Sequence, residues 1–227
     1  MPKTSPDPWR LVLLGPPGVG KGTQAELLSG ELGACHLSTG DVFRAVNSNH
    51  CAHSPAMTEA IKHMLQGQLV PDAIVWQLVR ERSGCLHCGG GFILDGFPRT
   101  LAQAAALHQL FQDESIAISG VIYYEMPLDE IVARLSGRRT CERCKAVYHI
   151  TGRPPKRPGI CDRCGGTLVQ RQDDRPEAIK VRMQEYQKVT ASVTQFYREM
   201  SLLVPIDARG NAGDVLARTI SALHARR

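Results

Sequence analysis

The sequence predicts an α/β fold in which a parallel sheet of five strands lies between helices. Two observations support this: short apolar segments alternate with helical patterns along the chain, and a glycine-rich loop directly follows the first apolar segment. The chain has 227 residues, of which 43% are hydrophobic, so a single domain with insertions can bury a substantial core. Since no segment approaches the ~20 apolar residues of a membrane-spanning helix, we expect no membrane association.

Five short apolar segments are predicted to be the strands. Helical patterns separate them, which gives parallel strands the long connections that they need. The strand segments are residues 11–14, 34–37, 91–94, 120–124 and 202–206. Helices are predicted at residues 24–28, from Ser54 and Pro55 to Gly67, around 74–79, from about 176 to 200 and from 214 to 224.

The loop after the first strand has the composition of a phosphate-binding loop. Residues 15–23 read Gly-Pro-Pro-Gly-Val-Gly-Lys-Gly-Thr and lead into a helical pattern. Glycines let backbone N–H groups surround a polyphosphate, the following helix adds positive potential, and Lys21 adds a full charge. A purely structural glycine turn would not require a lysine and a threonine at the start of a helix, so we predict nucleotide binding.

Positive charge is concentrated in one segment. Residues 138–171 contain nine Lys or Arg and two acidic residues, a net charge of +7 in a chain whose total is +5. The remainder therefore carries about −2, which is unlike a surface that follows a nucleic-acid backbone. The charge is explained if this segment lies over the phosphate-binding loop.

The same segment contains two Cys-x-x-Cys pairs, Cys141 with Cys144 and Cys161 with Cys164. Four thiolates at this spacing bind one Zn²⁺ tetrahedrally and leave no position for water or substrate, so the zinc would be structural. Two disulfides are the alternative. The N-terminus lacks the apolar core of an export signal, so we expect a cytoplasmic protein, and a reducing cytosol disfavours disulfides.

Four other cysteines receive no assigned function. Cys85 and Cys88 precede three glycines, and by themselves they cannot complete a four-ligand site. We interpret them as ordinary loop cysteines, with a metal or redox role as the alternative. Cys35 and Cys51 are interpreted as free thiols.

Three polar motifs fall where an α/β sheet binds ligands, beyond the carboxyl ends of its strands. They are Ser-Thr-Gly-Asp-Val-Phe-Arg at 38–44, Leu-Asp-Gly-Phe-Pro-Arg-Thr at 94–100 and Arg-Leu-Ser-Gly-Arg-Arg at 134–139. With these motifs, the chain closely resembles the adenylate kinases over nearly its whole length, in the form with a long, zinc-binding lid. The resemblance implies a single domain with a core at 9–37, 69–136 and 174–227, a helical AMP-binding insertion at 38–68 and a small β zinc-ribbon lid at 137–173.

The activity implied by the resemblance is the reversible transfer of the terminal phosphoryl group of ATP to AMP, with magnesium, to give two ADP. The AMP phosphate is already an anionic nucleophile, so no general base is needed. The protein must align two polyanions and neutralise their charge. ATP, AMP and ADP are the expected partners of a monomer that binds no nucleic acid.

The resemblance also implies roles for individual residues. Catalysis is assigned to Lys21, Arg99, Arg138, Arg171 and Arg182. ATP binding is assigned to Gly15, Pro17, Gly18, Val19, Gly20, Lys21, Gly22, Thr23, Arg134, Arg138, Tyr148 and His149. AMP binding is assigned to Thr39, Gly40, Arg44, Val70, Gly96, Arg99, Gln103, Arg171 and Arg182. Thr23 and Asp95 support magnesium, Gln103 selects the base, and Asp173 and Asp174 bond across the hinge of the lid.

Three alternatives remain open from the sequence. A kinase of the same fold could use another nucleoside monophosphate, a zinc-ribbon protein could bind nucleic acid, and a catalytically silent protein could sense nucleotides. The chain also departs from the family pattern in a longer loop at 45–53 and in Ala56 and Met57, which could alter closure over AMP.

Overall fold

The computed structural model describes residues 8–38, 55, 59, 71, 73–74, 76–77 and 89–226. Eight strands lie in these ranges: β1 (Trp9–Leu14), β2 (Cys35–Ser38), β3 (Gly91–Asp95), β4 (Gly120–Glu125), β5 (Arg138–Cys141), β6 (Val147–His149), β7 (Leu168–Val169) and β8 (Leu203–Asp207). The helices are α1 (Lys21–Leu32), α2 (Leu101–Asp113), α3 (Leu128–Gly137), α4 (Pro176–Glu199) and α5 (Ala212–His224).

The main sheet contains five parallel strands in the order β2-β3-β1-β4-β8. These are the five predicted strands, so the α/β prediction is confirmed. Strand β1 is central, and its Val12 lies opposite both Leu94 of β3 and Val121 of β4. A strand covered on both faces must be apolar at every position, which explains its continuous hydrophobic sequence.

Alternate residues of β1 face two separate hydrophobic clusters, because successive side chains of a strand point to opposite faces. Leu11 and Leu13 pack with residues of α1 and α5 such as Leu28 and Val215. Val12 and Leu14 pack with residues of α2 and α4 such as Leu107. Each fully buried Leu contributes roughly 1.5–3 kcal/mol, so burial on both faces fixes the position of the loop that leaves β1.

Two helices are capped by the side chain of the residue that precedes their first helical residue. The Thr100 hydroxyl accepts a hydrogen bond from the Gln103 N–H (3.1 Å) at the start of α2, and Asn211 forms a capping box with Asp214 at the start of α5. Both helices therefore begin where a side chain accepts hydrogen bonds from N–H groups that have no partner within the helix. The predicted helices at 176–200 and 214–224 are confirmed within two residues at each end, whereas most of 54–67 and 74–79 lies outside the described residues.

A second, small sheet has the order β6-β5-β7 and is antiparallel. This sheet lies in the segment that contains the two Cys-x-x-Cys motifs. Its interior consists of Cys141, Tyr148, Cys161 and Leu168. So few apolar side chains cannot stabilise a ribbon of this size by burial alone.

A search of the described helices finds none with the length and apolar content needed to cross a bilayer.

Candidate phosphate-transfer site

The loop between β1 and α1 is folded by glycines with positive φ. These are Gly15 (φ 143°), Gly18 (φ 85°) and Gly20 (φ 105°). A Cβ at Gly18 would lie 2.5 Å from Cγ of Leu135 in α3, so the loop can pack this closely only with glycine there. Val19 is buried beside it, and the loop is thereby held against the core.

Lys21 is the first residue of α1, and its ammonium group turns back into the loop. It donates to the carbonyl oxygens of Gly15 (2.6 Å) and Pro16 (3.0 Å). Burial lowers the pKa of Lys21 to about 8; Asp95 opposes the shift, and Arg99, Arg182 and Arg138 add to it. Because Gly20 has no side chain to cap α1, the N–H groups of the first turn can bind an anion.

Three of the predicted catalytic arginines meet two adjacent carboxylates where the lid returns to the core. Arg138 donates from Nε (2.7 Å) and Nη2 (2.5 Å) to Asp174. Arg171 forms a similar pair with Asp173, at 2.9 and 2.8 Å. Arg182 of α4 reaches both carboxylates, Asp173 at 3.0 Å and Asp174 at 3.3 Å. The arginines are therefore brought together by ion pairs.

The two aspartates differ in burial. Asp174 is 0% exposed and lies in a short 3₁₀ helix (Gln172–Asp174), whereas 39% of the Asp173 side chain is exposed. Burial by itself would raise the pKa of Asp173, but Arg171 and Arg182 hold it below its ordinary value. Asp173 is thus a charged partner of Arg171 and Arg182 at neutral pH.

Asp95 ends β3 next to the start of α1. It is buried, and its Oδ2 lies 3.6 Å from Nε2 of His36 in β2. A Cβ at Gly22 would lie 3.6 Å from the same carboxylate, which shows how closely α1 approaches it. Thr23 lies in the first turn of α1, so the two residues predicted to support magnesium lie near the same helix terminus.

The motif after β3 holds Arg99 and Gln103 together. The Arg99 N–H donates to Oε1 of Gln103 (2.7 Å), and Nε of Arg99 donates to the Gly96 carbonyl oxygen (2.8 Å). Gln103 is buried, whereas Arg99 is exposed. The structure thus brings together three of the predicted AMP-binding residues. Four more lie outside the described residues: Thr39, Gly40, Arg44 and Val70.

Arg134 of α3 joins the phosphate-binding loop to a segment that the sequence analysis missed. Its guanidinium donates to the carbonyl oxygens of Val19 (3.2 Å), Ala208 (3.0 Å) and Gly210 (3.0 Å). Burial lowers the pKa of Arg134. Residues 208–210 follow β8, and the rule that ligands bind beyond the carboxyl ends of parallel strands was the signal that could have identified them.

Tyr148 and His149 lie in the lid. The Tyr148 hydroxyl accepts from the Asp162 N–H (2.9 Å) and lies 3.5 Å from Sγ of Cys161, so this side chain belongs to the lid interior. His149 Nδ1 accepts from the Gly152 N–H (3.0 Å), and its ring packs against Gly137, where a Cβ would lie 2.3 Å from Nε2. Their predicted contact with ATP stays a prediction.

The four lid cysteines form one compact cluster of free thiols, and their Sγ atoms all lie within 4.8 Å of one another. Cys141 and Cys164 are 3.4 Å apart, and Cys144 and Cys161 are 3.5 Å apart. Four sulfurs around zinc lie ~3.8 Å apart when each Zn–S distance is ~2.3 Å, so the cluster fits this ion. The contact with Tyr148 lowers the pKa of Cys161 to about 6, whereas burial raises the pKa of Cys144 to about 12. A bound metal would therefore have to displace the proton of the Cys144 thiol.

Comparison with known proteins gives a consistent result. The model of the adenylate kinase family matches residues 13–202. The chain is 44% identical to adenylate kinase of Carboxydothermus hydrogenoformans, over 94% of this chain and 99% of the relative. It is 47% identical to adenylate kinase of Salinispora tropica, over 94% and 97%, and 43% identical to adenylate kinase of Streptomyces griseus, over 95% and 98%.

Proposed function

The chain belongs to the adenylate kinase family, and we propose that its phosphate-binding loop and its arginine cluster carry out the reaction of that family. This reaction is the transfer of the terminal phosphoryl group of ATP to AMP. Nothing in the comparisons favours another acceptor or a nucleic-acid-binding role.

The ATP phosphates bind in the loop at residues 15–20. Backbone N–H groups at the start of α1 face the polyphosphate, and the Lys21 ammonium exchanges the carbonyl oxygens of Gly15 and Pro16 for phosphate oxygens. Asp95 and Thr23 would hold the magnesium that accompanies ATP, and part of this contact would run through water, because Mg²⁺ gives up its hydration shell reluctantly. That ion supplies positive charge to the phosphate oxygens when it is bound.

Arg138, Arg171 and Arg182 neutralise the charge on the phosphoryl group during transfer. Asp174 uses Nε and Nη2 of Arg138, so the Nη1 edge of that guanidinium can bind phosphate while the ion pair stays intact. Asp173 is partly exposed and shares Arg171 and Arg182, so it releases them to a more highly charged phosphate. We therefore assign Asp174 as a positioning residue and Asp173 as an exchangeable partner.

AMP binds on the side of Arg99. Its guanidinium pairs bidentately with the AMP phosphate, and Gln103, held by the Arg99 backbone and by Thr100, lies where it selects the base. Gly96 allows the motif to turn after β3. Thr39, Gly40, Arg44 and Val70 complete this assignment from the sequence.

The lid covers the site during transfer. Residues 137–173 form the lid, residues 38–68 form the AMP-binding insertion, and the remainder from residue 9 onward is the core. Cys141, Cys144, Cys161 and Cys164 hold a structural zinc that replaces the missing hydrophobic interior of the lid. Closing the lid excludes water, which would otherwise hydrolyse the phosphoryl group. We assign Tyr148 and His149 to the part of the lid that meets ATP, with the Tyr148 side chain directed into the lid interior. We assign the protein to the cytoplasm as a monomer.

The gathering of Arg138, Arg171 and Arg182 on two adjacent carboxylates carries this proposal. The positive charges of Arg99, Arg138 and Arg182 also add to the effect of burial in lowering the pKa of Lys21. Four cations around one phosphate-binding loop suit the neutralisation of two polyanions. The test is to incubate the protein with ATP, Mg²⁺ and each of AMP, GMP, CMP and UMP, and to separate the nucleotides by chromatography. We expect ADP to form rapidly with AMP. Preference for another acceptor, or no transfer at all, contradicts the proposal.

A further inference from the structure

The lid carries five exposed cationic side chains that the candidate site does not use. They are Arg143, Arg153, Lys156, Arg157 and Arg163, called here the outer lid cations, and all five are exposed. Within the part of the chain that the structure describes, none of them forms an ion pair. The lid contains only two acidic residues between 138 and 171, Glu142 and Asp162. The positive charge of these five side chains is therefore uncompensated within the lid.

The outer lid cations lie in a segment that backbone hydrogen bonds hold within the small sheet region. Arg153 exchanges backbone hydrogen bonds with His149 (3.0 and 3.3 Å), and the His149 ring lies against Gly137 at the end of α3. Arg157 forms an isolated bridge with Ile160. The ribbon thus begins beside Arg138, and its charge moves with the lid.

The rest of the molecule opposes this field only weakly. The residues outside 138–171 carry about −2 in total, whereas the site itself gathers Lys21, Arg99, Arg138 and Arg182. A nucleotide that approaches from the side of the lid therefore meets positive charge both on the lid and at the site. Potentials of this kind raise association rates by attraction over distance, without contact.

On the basis of the proposed function, we propose that the outer lid cations steer nucleotide polyanions toward the phosphate-binding loop and so raise the rate of association. They act before binding and touch no group of the bound nucleotide. Such an effect decays over the Debye length, about 8 Å at physiological ionic strength, and is lost at high salt. It changes the association rate constant and leaves the dissociation rate constant and kcat unchanged.

The test compares two variants that remove the same charge from different places. The lid variant carries Arg153→Gln, Lys156→Gln and Arg157→Gln, in the loop between the cysteine pairs. The control variant carries Lys188→Gln, Arg198→Gln and Arg226→Gln, which are exposed on α4 and at the C-terminal end of the chain. Stopped-flow fluorescence measures the binding of an ATP analogue labelled on its ribose, at low and high ionic strength, and zinc analysis confirms that the lid is intact.

We expect the lid variant to associate about three- to tenfold more slowly at ~10 mM ionic strength and at the wild-type rate at ~0.5 M. The control variant is expected to change by less than about twofold, since its charges lie away from the lid. Equal slowing of the two variants, or an effect in the dissociation rate constant, would overturn the proposal. If the lid variant lost zinc, the single substitutions K156Q and R157Q would each be measured instead. Each should slow association of the nucleotide by a smaller factor. No slowing in either would overturn the proposal.

Failure of the proposed function would be seen separately. Phosphotransfer to AMP is measured on the wild-type protein, whereas steering is measured as a difference in binding rates between the two variants. If the wild-type protein transfers the phosphoryl group to AMP but the two variants bind the nucleotide at equal rates, the proposed function stands and the steering proposal is wrong. A protein that binds the nucleotide without transfer would contradict the proposed function.

Discussion

The core around Lys21 and the lid around the four cysteines are stabilised in different ways. The core has two hydrophobic clusters on the faces of a parallel sheet, with Leu11, Val12 and Leu13 almost completely buried. The lid has a three-stranded sheet whose interior is largely made of cysteines. The core therefore folds by burial of apolar surface, whereas the proposed zinc would supply the stability that the lid interior lacks.

Because of this difference, the region proposed for phosphoryl transfer and the region proposed to close over it are held in place by different interactions. The phosphate-binding loop is fixed by glycine geometry and by packing against α3, so it keeps its shape whatever the lid does. The lid is attached through ion pairs between arginines and Asp173 or Asp174, and we propose that these pairs exchange partners when phosphate binds. Substitutions in the two regions should therefore have different consequences for catalysis and for stability.

The largest effect is expected from Lys21→Met. Loss of the ammonium that neutralises the transferring phosphoryl group should lower kcat by about 10²–10³-fold, as for removal of a donor that stabilises a transition state. The free energy of unfolding should stay the same or rise, because burial lowers the pKa of Lys21 to about 8 and the charged form is therefore disfavoured in the fold. Steady-state kinetics and urea unfolding measure the two quantities.

Lys188→Met is the matched control for that substitution, because the Lys188 side chain is 70% exposed on α4. It should leave kcat unchanged. A large loss of stability in Lys21→Met, without a specific loss of kcat, would mean that Lys21 serves the fold and not the transfer.

Asp174→Asn tests the junction between core and lid. The substitution keeps the shape of the side chain but removes the charge that Arg138 and Arg182 share. We expect a loss of about 2 kcal/mol in the free energy of unfolding, less than the ~3–5 kcal/mol of a fully buried pair, because the two arginines are 19% and 30% exposed. Urea unfolding monitored by circular dichroism measures it.

Asp173→Asn provides the comparison, because its carboxylate is partly exposed. A smaller loss of stability, below about 1 kcal/mol, is expected there. For Asp174→Asn, kcat should also fall, since Arg138 loses its orientation, and Asp174→Glu should partly restore it. Equal effects of the two asparagine substitutions would contradict the assignment of Asp174 as the positioning residue.

The smallest effect concerns pH. In the free protein, Lys21 loses its proton as the pH rises through about 8, whereas bound phosphate favours the charged form and raises its pKa. Binding of ATP should therefore take up to about one proton between roughly pH 8 and 10 and should weaken as the pH rises. Calorimetry in buffers of different ionisation enthalpy measures the uptake, which should disappear in Lys21→Met. Proton release in this window would contradict the role of Lys21.

The strands and the phosphate-binding loop could be predicted because their signals are local. A run such as Leu11-Val12-Leu13-Leu14 suits only a strand covered on both faces, and the loop that follows has glycines where positive φ is required. The cysteine cluster was predictable for a similar reason, since each Cys-x-x-Cys pair presents two thiols to one position.

The partners of the arginines were not predictable in detail, because they depend on how the lid returns to the core. Arg138 and Asp174 are 36 residues apart, and their pairing depends on the path of the ribbon between them. Arg134 likewise binds the carbonyl oxygens of Ala208 and Gly210, which have no distinctive side chain. The position of Tyr148 inside the lid depends on the cysteines that surround it.

Amide hydrogen exchange measured before and after removal of zinc by a chelator tests the central claim most directly. The account predicts that amides of β5, β6 and β7 lose their protection while those of β1, β3 and β4 keep theirs, because the core is stabilised by burial and the lid by its metal. Loss of protection in both sheets together, or no change in the lid, would contradict it.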